Sequence, residues 1–127
     1  MRQFGRRVMQ LAAGSALLIG LGSAGGAHAA GPWVTCQAHV TQPWRSVGGV
    51  TTTHTISCNG YVSSITLSAL LYSPSDASIS DEQTCYSCDS LSVQLTLPYD
   101  TSGVWGAEVY GSGDWGEDAH VANGWIY

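Results

Sequence analysis

From residue 33 onward, apolar and polar side chains alternate with a period of two over most of the chain. Val34, Cys36, Ala38 and Val40 take one face of residues 33–41, while Trp33, Thr35, Gln37, His39 and Thr41 take the other. Alternation of this kind predicts a half-buried strand. The segment 42–49 (Gln-Pro-Trp-Arg-Ser-Val-Gly-Gly) breaks it and reads as a loop. A second strand is expected over 50–58. Asn59-Gly60 then gives a two-residue hairpin signal, because a type I′ turn needs positive φ at both positions. A third strand follows over 61–72. This hairpin would set Cys58 opposite Tyr61 and His54 opposite Ile65, and it would put Cys58, Ile56, Ile65, Leu67, Ala69 and Leu71 on one face.

Ser73-Pro74-Ser75-Asp76 reads as a turn, 77–84 as a weakly patterned edge strand and Cys85-Tyr86-Ser87-Cys88 as a tight turn. Leu91, Val93, Leu95 and Leu97 alternate with polar residues. So do Trp105, Ala107 and Val109, with Glu108 and Tyr110 facing the other way. A Gly-rich acidic loop over 111–118 and a last strand over 120–127, interrupted at Asn123-Gly124, complete the chain. No segment after residue 30 keeps a helical apolar period. The pattern predicts an all-β domain: a small antiparallel β-sandwich of immunoglobulin-like type with six or seven short strands.

The first 29 residues follow another logic. Arg2, Arg6 and Arg7 precede an apolar stretch over 8–22, and Ala27-His28-Ala29 offers small residues at the positions a signal peptidase reads. The stretch is shorter than the about 20 apolar residues that a spanning helix needs. The expectation is a signal peptide over 1–29, cleaved after Ala29, a secreted domain over 30–127, and no membrane association after processing.

Removing the leader changes the charge. Of the chain's four basic residues only Arg45 lies beyond it, against nine carboxylates. Nucleic acid needs clustered cations to displace counterions, and anionic membranes attract polybasic segments, so this balance excludes both as partners. All four cysteines, Cys36, Cys58, Cys85 and Cys88, lie in the secreted part. In a small exported domain they imply two disulfides. Three pairings are possible. Cys36 and Cys58 fall on the inward faces of neighbouring predicted strands, which favours Cys36–Cys58 with Cys85–Cys88. The C-x-x-C spacing is followed by a strand pattern, whereas a redox motif needs a helix N-terminus.

No arrangement of residues predicts catalysis, a metal or a cofactor. There is no G-x-S-x-G elbow. His39 faces outward, His54 inward, and His120 follows the acidic loop. Asp114, Glu117 and Asp118 match no defined calcium-loop spacing. Two surfaces could bind. Trp44 and Arg45 sit in the loop that a Cys36–Cys58 bridge would close, and these residue types are enriched at interface hot spots. Tyr110, Trp115 and Trp125, near carboxylates, could stack on sugar rings and form a carbohydrate-binding face.

A Trp-Arg pair on a hairpin between bonded cysteines resembles the tendamistat-type α-amylase inhibitors, small secreted two-disulfide β-sandwiches of actinomycetes. Their triplet is Trp-Arg-Tyr. Here Ser46 follows Trp44-Arg45, and the second cysteine pair departs from that family's pattern. The wider chain is similar in format to small exported actinomycete proteins, some of which are adaptor subunits of toxin assemblies. The resemblance implies a non-enzymatic secreted module that binds another secreted protein, as adaptor or inhibitor. A polysaccharide- or cell-wall-binding module is the alternative, and a small hydrolase comes third.

Overall fold

The computed structural model describes residues 34–127. The expected leader over 1–29, its cleavage site and Trp33 lie outside the described residues. The described chain forms six strands and no helix: β1 (Cys36–Val40), β2 (Trp44–Ser46), β3 (Gly49–Tyr72), β4 (Ser78–Leu97), β5 (Gly103–Gly113) and β6 (Gly116–Ile126). Every backbone pairing is antiparallel. The fold is the small all-β sandwich that the alternation predicts.

Two strands are much longer than that pattern suggests, and they generate the two layers. Residues 49–57 of β3 pair with β1 and β2 on one side and with residues 90–97 of β4 on the other. Residues 62–72 of β3 keep β4 as a partner but take β5 on the opposite edge, and β6 then pairs with β5. The sheet curls where β3 changes partner, and apolar faces meet inside. Val40, Val50, Ile56, Ile65, Leu67, Leu71, Trp105 and Val109 are fully buried there. The Trp105 indole N–H is satisfied by donating to the Thr101 carbonyl at 3.0 Å.

The expected Asn59-Gly60 hairpin does not form. β3 runs through both residues, and neither has positive φ. Between the pairs Ser57↔Ser90 and Val62↔Cys88 the two strands fall out of step, so residues 58–61 bulge from β3. Asn59 is tied to β1 instead. Its N–H donates to the Thr35 carbonyl at 3.0 Å, and its Oδ1 accepts from the Thr35 N–H at 2.9 Å. His54 accordingly lies between Val40 and Val93, not opposite Ile65. The hairpin that does form joins β3 to β4 through the Ser73-Pro74-Ser75-Asp76 turn.

Cys85-Tyr86-Ser87-Cys88 is likewise not a turn between strands. It lies within β4, with Ser87 at φ 50°. The bridges are Cys36–Cys58 and Cys85–Cys88, and no described cysteine is free. The first joins β1 to β3 at the edge of the bulge, and the second braces the irregular middle of β4.

One seam remains after the backbone ladders are counted. The outer edge of β1 faces β6 without a ladder. Asp118 Oδ2 accepts the Ala38 N–H at 2.8 Å, and His120 Nδ1 accepts the Val40 N–H at 3.1 Å. The His39 and His120 rings stack 5.0 Å apart across the same seam. β6 therefore advances beside β1 and β2 at a nearly constant sequence offset, and this brings the end of the chain to Arg45.

Candidate functional site

Arg45 lies on β2 opposite Val50, at the open end of the sandwich. Its guanidinium sits 4.0 Å from the centroid of the Tyr99 ring, and Nη1 donates to the backbone oxygen of Tyr127 at 3.0 Å. A flexible side chain is thus fixed by a cation–π contact and a hydrogen bond while staying exposed. Trp44 precedes it and points to the other face of β2, opposite Thr51. Beneath it, hydroxyls run across three strands: Ser46 to Thr51 at 2.6 Å and Thr51 to Thr96 at 2.9 Å.

The end of β6 supplies the rest. Trp125 is 57% exposed and Tyr127 84%, their rings meeting edge to face at 6.1 Å. Exposed Val104 stands opposite Trp125 on β5. Gly124 backs onto Pro43, and a Cβ placed there would meet the proline ring at 3.3 Å. Two stretches joined by the Arg45–Tyr127 bond, 82 residues apart in sequence, therefore bring Trp44, Arg45, Trp125 and Tyr127 to one end of the molecule. Trp44 itself is 38% exposed, and Val47 at the β2–β3 turn is fully so.

The expected sugar-stacking trio does not assemble. Trp115 is 9% exposed and belongs to the core, where its ring edge lies near Gly111 and Ile56. Trp115 does lie in the turn between β5 and β6, as the alternation predicts, but those strands extend to Gly113 and Gly116, and the short turn between them folds its ring onto the core. Tyr110 is half-buried, and its hydroxyl donates to Glu117 Oε1. The acidic loop also disperses. Glu117 serves Tyr110, Asp118 serves β1, and Asp114 stays in the tip of the hairpin. Among the described residues no three His, Cys, Asp or Glu side chains gather as a metal-ligand set.

His54 is fully buried. Its Nδ1–H donates to the Glu108 carbonyl at 3.1 Å, which leaves Nε2 to accept from the Thr52 hydroxyl at 2.7 Å. Burial holds its pKa down at about 4, against a smaller upward pull from the Glu108 carbonyl. A shallow hollow of about 280 Å³ beside the Cys36–Cys58 bridge is lined by Thr35, Gln37, Ser57, Cys58 and Asn59, none of which supplies an acid or a base.

Of the candidates the sequence offers, Trp44, Arg45 and Trp125 are exposed. Nothing in the pattern points to Tyr99 and Tyr127, which hold Arg45: Tyr127 arrives through the seam with β6, and Tyr99 through the register that sets Arg45 opposite Val50 and Val50 opposite Leu97. No family model matches this chain, and neither does any curated protein or solved structure.

Proposed function

We propose that the protein is a non-enzymatic exported module that docks onto another secreted protein, as an adaptor or inhibitory subunit, through the surface formed by Trp44, Arg45, Trp125 and Tyr127. One observation carries this reading: the only arginine after the leader is fixed by the Tyr99 ring and the Tyr127 backbone oxygen, at the end of the sandwich where Trp44 and Trp125 are exposed. Large aromatics and arginine are the residue types that dominate binding energy at protein interfaces. An arginine already fixed by Tyr99 and Tyr127 loses little freedom on association. The two disulfides are typical of extracellular proteins and agree with an exported domain.

The test is capture. The full chain, tagged just after the expected cleavage site at Ala29 and secreted from its native host, is recovered from culture supernatant under native conditions. A stoichiometric protein partner is expected. Trp44→Ala and Trp125→Ala should each weaken the complex by about thirtyfold, as loss of a 2 kcal/mol hot spot would. Recovery of the protein alone, together with retention on cell-wall polysaccharide that depends on Trp125, would replace this reading with the glycan one. Burial of Trp115 already removes one of the three aromatics on which the glycan reading relied.

A further inference from the structure

The outer face of the second layer holds a carboxyl group that the fold does not satisfy. The two layers pack through Leu67, Ala69, Leu71, Ala107 and Val109, which lie on the inner face. Register places Leu70, Glu108 and Val121 side by side on the opposite face, with Tyr72 over Gly106 and Tyr110 two residues beyond Glu108. Tyr72 lies so close that a Cβ on Gly106 would stand 2.4 Å from its Cζ. Its hydroxyl bonds the Glu108 carboxyl. Although Glu108 is only 5% exposed, its Oε1 has no hydrogen-bond partner. A buried acceptor without a donor is destabilising and calls for explanation.

Among the described residues there is no spare lysine or arginine to supply a countercharge. Arg45 is the only lysine or arginine after the leader, and it is engaged with Tyr99 and Tyr127 at the end of the sandwich. A second carboxylate, Glu117, lies on the same face and is held by Tyr110. Two tyrosines, each bonded to a glutamate, thus frame an unmet acceptor on a strongly acidic domain. The face continues along β5 and β6 to Val104 and Trp125. Burial also raises the Glu108 pKa, a larger effect than the opposing Tyr72 bond, as expected for a carboxylate with no countercharge.

We propose that this face receives a basic side chain, arginine or lysine, from the docking partner, its cationic tip completing Glu108 and its stem lying between Tyr72 and Tyr110. The proposal rests on the docking function argued above and names the chemistry the partner must present. Charge complementarity selects the occupant. A second copy of this acidic domain would bring like charges together, whereas a basic side chain supplies both the missing donor and the missing charge.

The test uses the intact secreted protein with carbon-13-labelled carboxyl groups, titrated with N-acetylarginine amide and N-acetyllysine amide and followed by NMR. The neutral N-acetylcitrulline amide is the control. Saturable shifts at Glu108 and at the Tyr72 ring are expected with the two cations and not with citrulline. Glu108→Gln should weaken binding at least about tenfold. Gly106→Ala, which must displace the Tyr72 ring, should weaken it too. Tyr72→Phe gives the same readout should Glu108→Gln fail to fold. Shifts that grow linearly and equally at Glu108 and exposed Asp89, or an equal response to citrulline, would overturn the proposal. If the probes fail while a Trp44-dependent partner is still captured, the basic-ligand assignment falls and docking stands. If they bind through Glu108 but no partner is captured, docking falls and the cation site stands.

Discussion

At the scale of single residues, the buried histidine couples stability to pH. His54 keeps one tautomer because the Glu108 carbonyl can only accept and Thr52 can donate. A proton on Nε2 would place a charge in the core and force the Thr52 hydroxyl to turn from donor to acceptor. The folded pKa of about 4 lies below the ordinary 6.5, so between these values the unfolded chain binds the proton and the folded chain does not. Stability from His54 is therefore complete above pH 6.5 and is lost as pH falls towards 4. The loss amounts to about 3 kcal/mol at the linkage rate of roughly 1.4 kcal/mol per pH unit. Glu108 acts in the opposite sense. Its pKa is raised, so its folded form holds the proton longer, and its contribution declines as pH rises above the ordinary 4.5. Urea unfolding across pH 4–7 checks the histidine. His54→Gln should be less stable than wild type at pH 7, but the gap should close towards pH 4. A gap that stays constant with pH would show that His54 does not titrate in this way.

The elements show where local pattern ends and register takes over. The two disulfides should contribute unequally, because one closes a separation of 22 residues and the other of 3. The chain-entropy model gives about 3 kcal/mol for Cys36–Cys58 and about 2 kcal/mol for Cys85–Cys88. Paired Cys→Ser replacements, compared by thermal unfolding, should show the larger drop for the first pair, whose loss also frees the bulge at 58–61. The alternation of apolar residues made the strands legible, and with them the inward faces of Cys36, Ala38, Val40, Ile56 and Val109. It did not show that 50–58 and 61–72 are one strand. Asn59-Gly60 favours a turn on local grounds, but pairing with β4 on one side and Thr35 on the other gives its backbone better partners. Similarly, Glu108 read as an outward residue and is one, yet Tyr72 closing over Gly106 buries it. Residue type and a place between Cys36 and Cys58 marked Trp44 and Arg45 as candidates. What fixes Arg45 was hidden because Tyr99 reaches it through the β2–β3–β4 register and Tyr127 through the β6 seam.

For the whole molecule, closure depends on side chains where a ladder is missing. β1 and β6 run side by side, and the N–H groups of Ala38 and Val40 would be left unpaired without Asp118 and His120. An unsatisfied, partly buried N–H costs about 1–3 kcal/mol, so each acceptor holds the layers together by more than its size suggests. The same seam carries Trp125 and Tyr127 to Arg45, which makes the candidate surface depend on contacts between residues 80 apart in sequence. Asp118→Ala should lower stability by about 1–2 kcal/mol and speed hydrogen exchange at the Ala38 amide far more than at the Ile65 or Leu67 amides, which sit in the central ladder. It should also loosen Arg45 from Tyr127, weakening partner capture without touching any docking residue. His120→Ala should do the same through the Val40 amide. If exchange at Ala38 and Val40 stayed slow in both variants, some other contact would be holding the seam shut, and the order of Arg45 would need a different source.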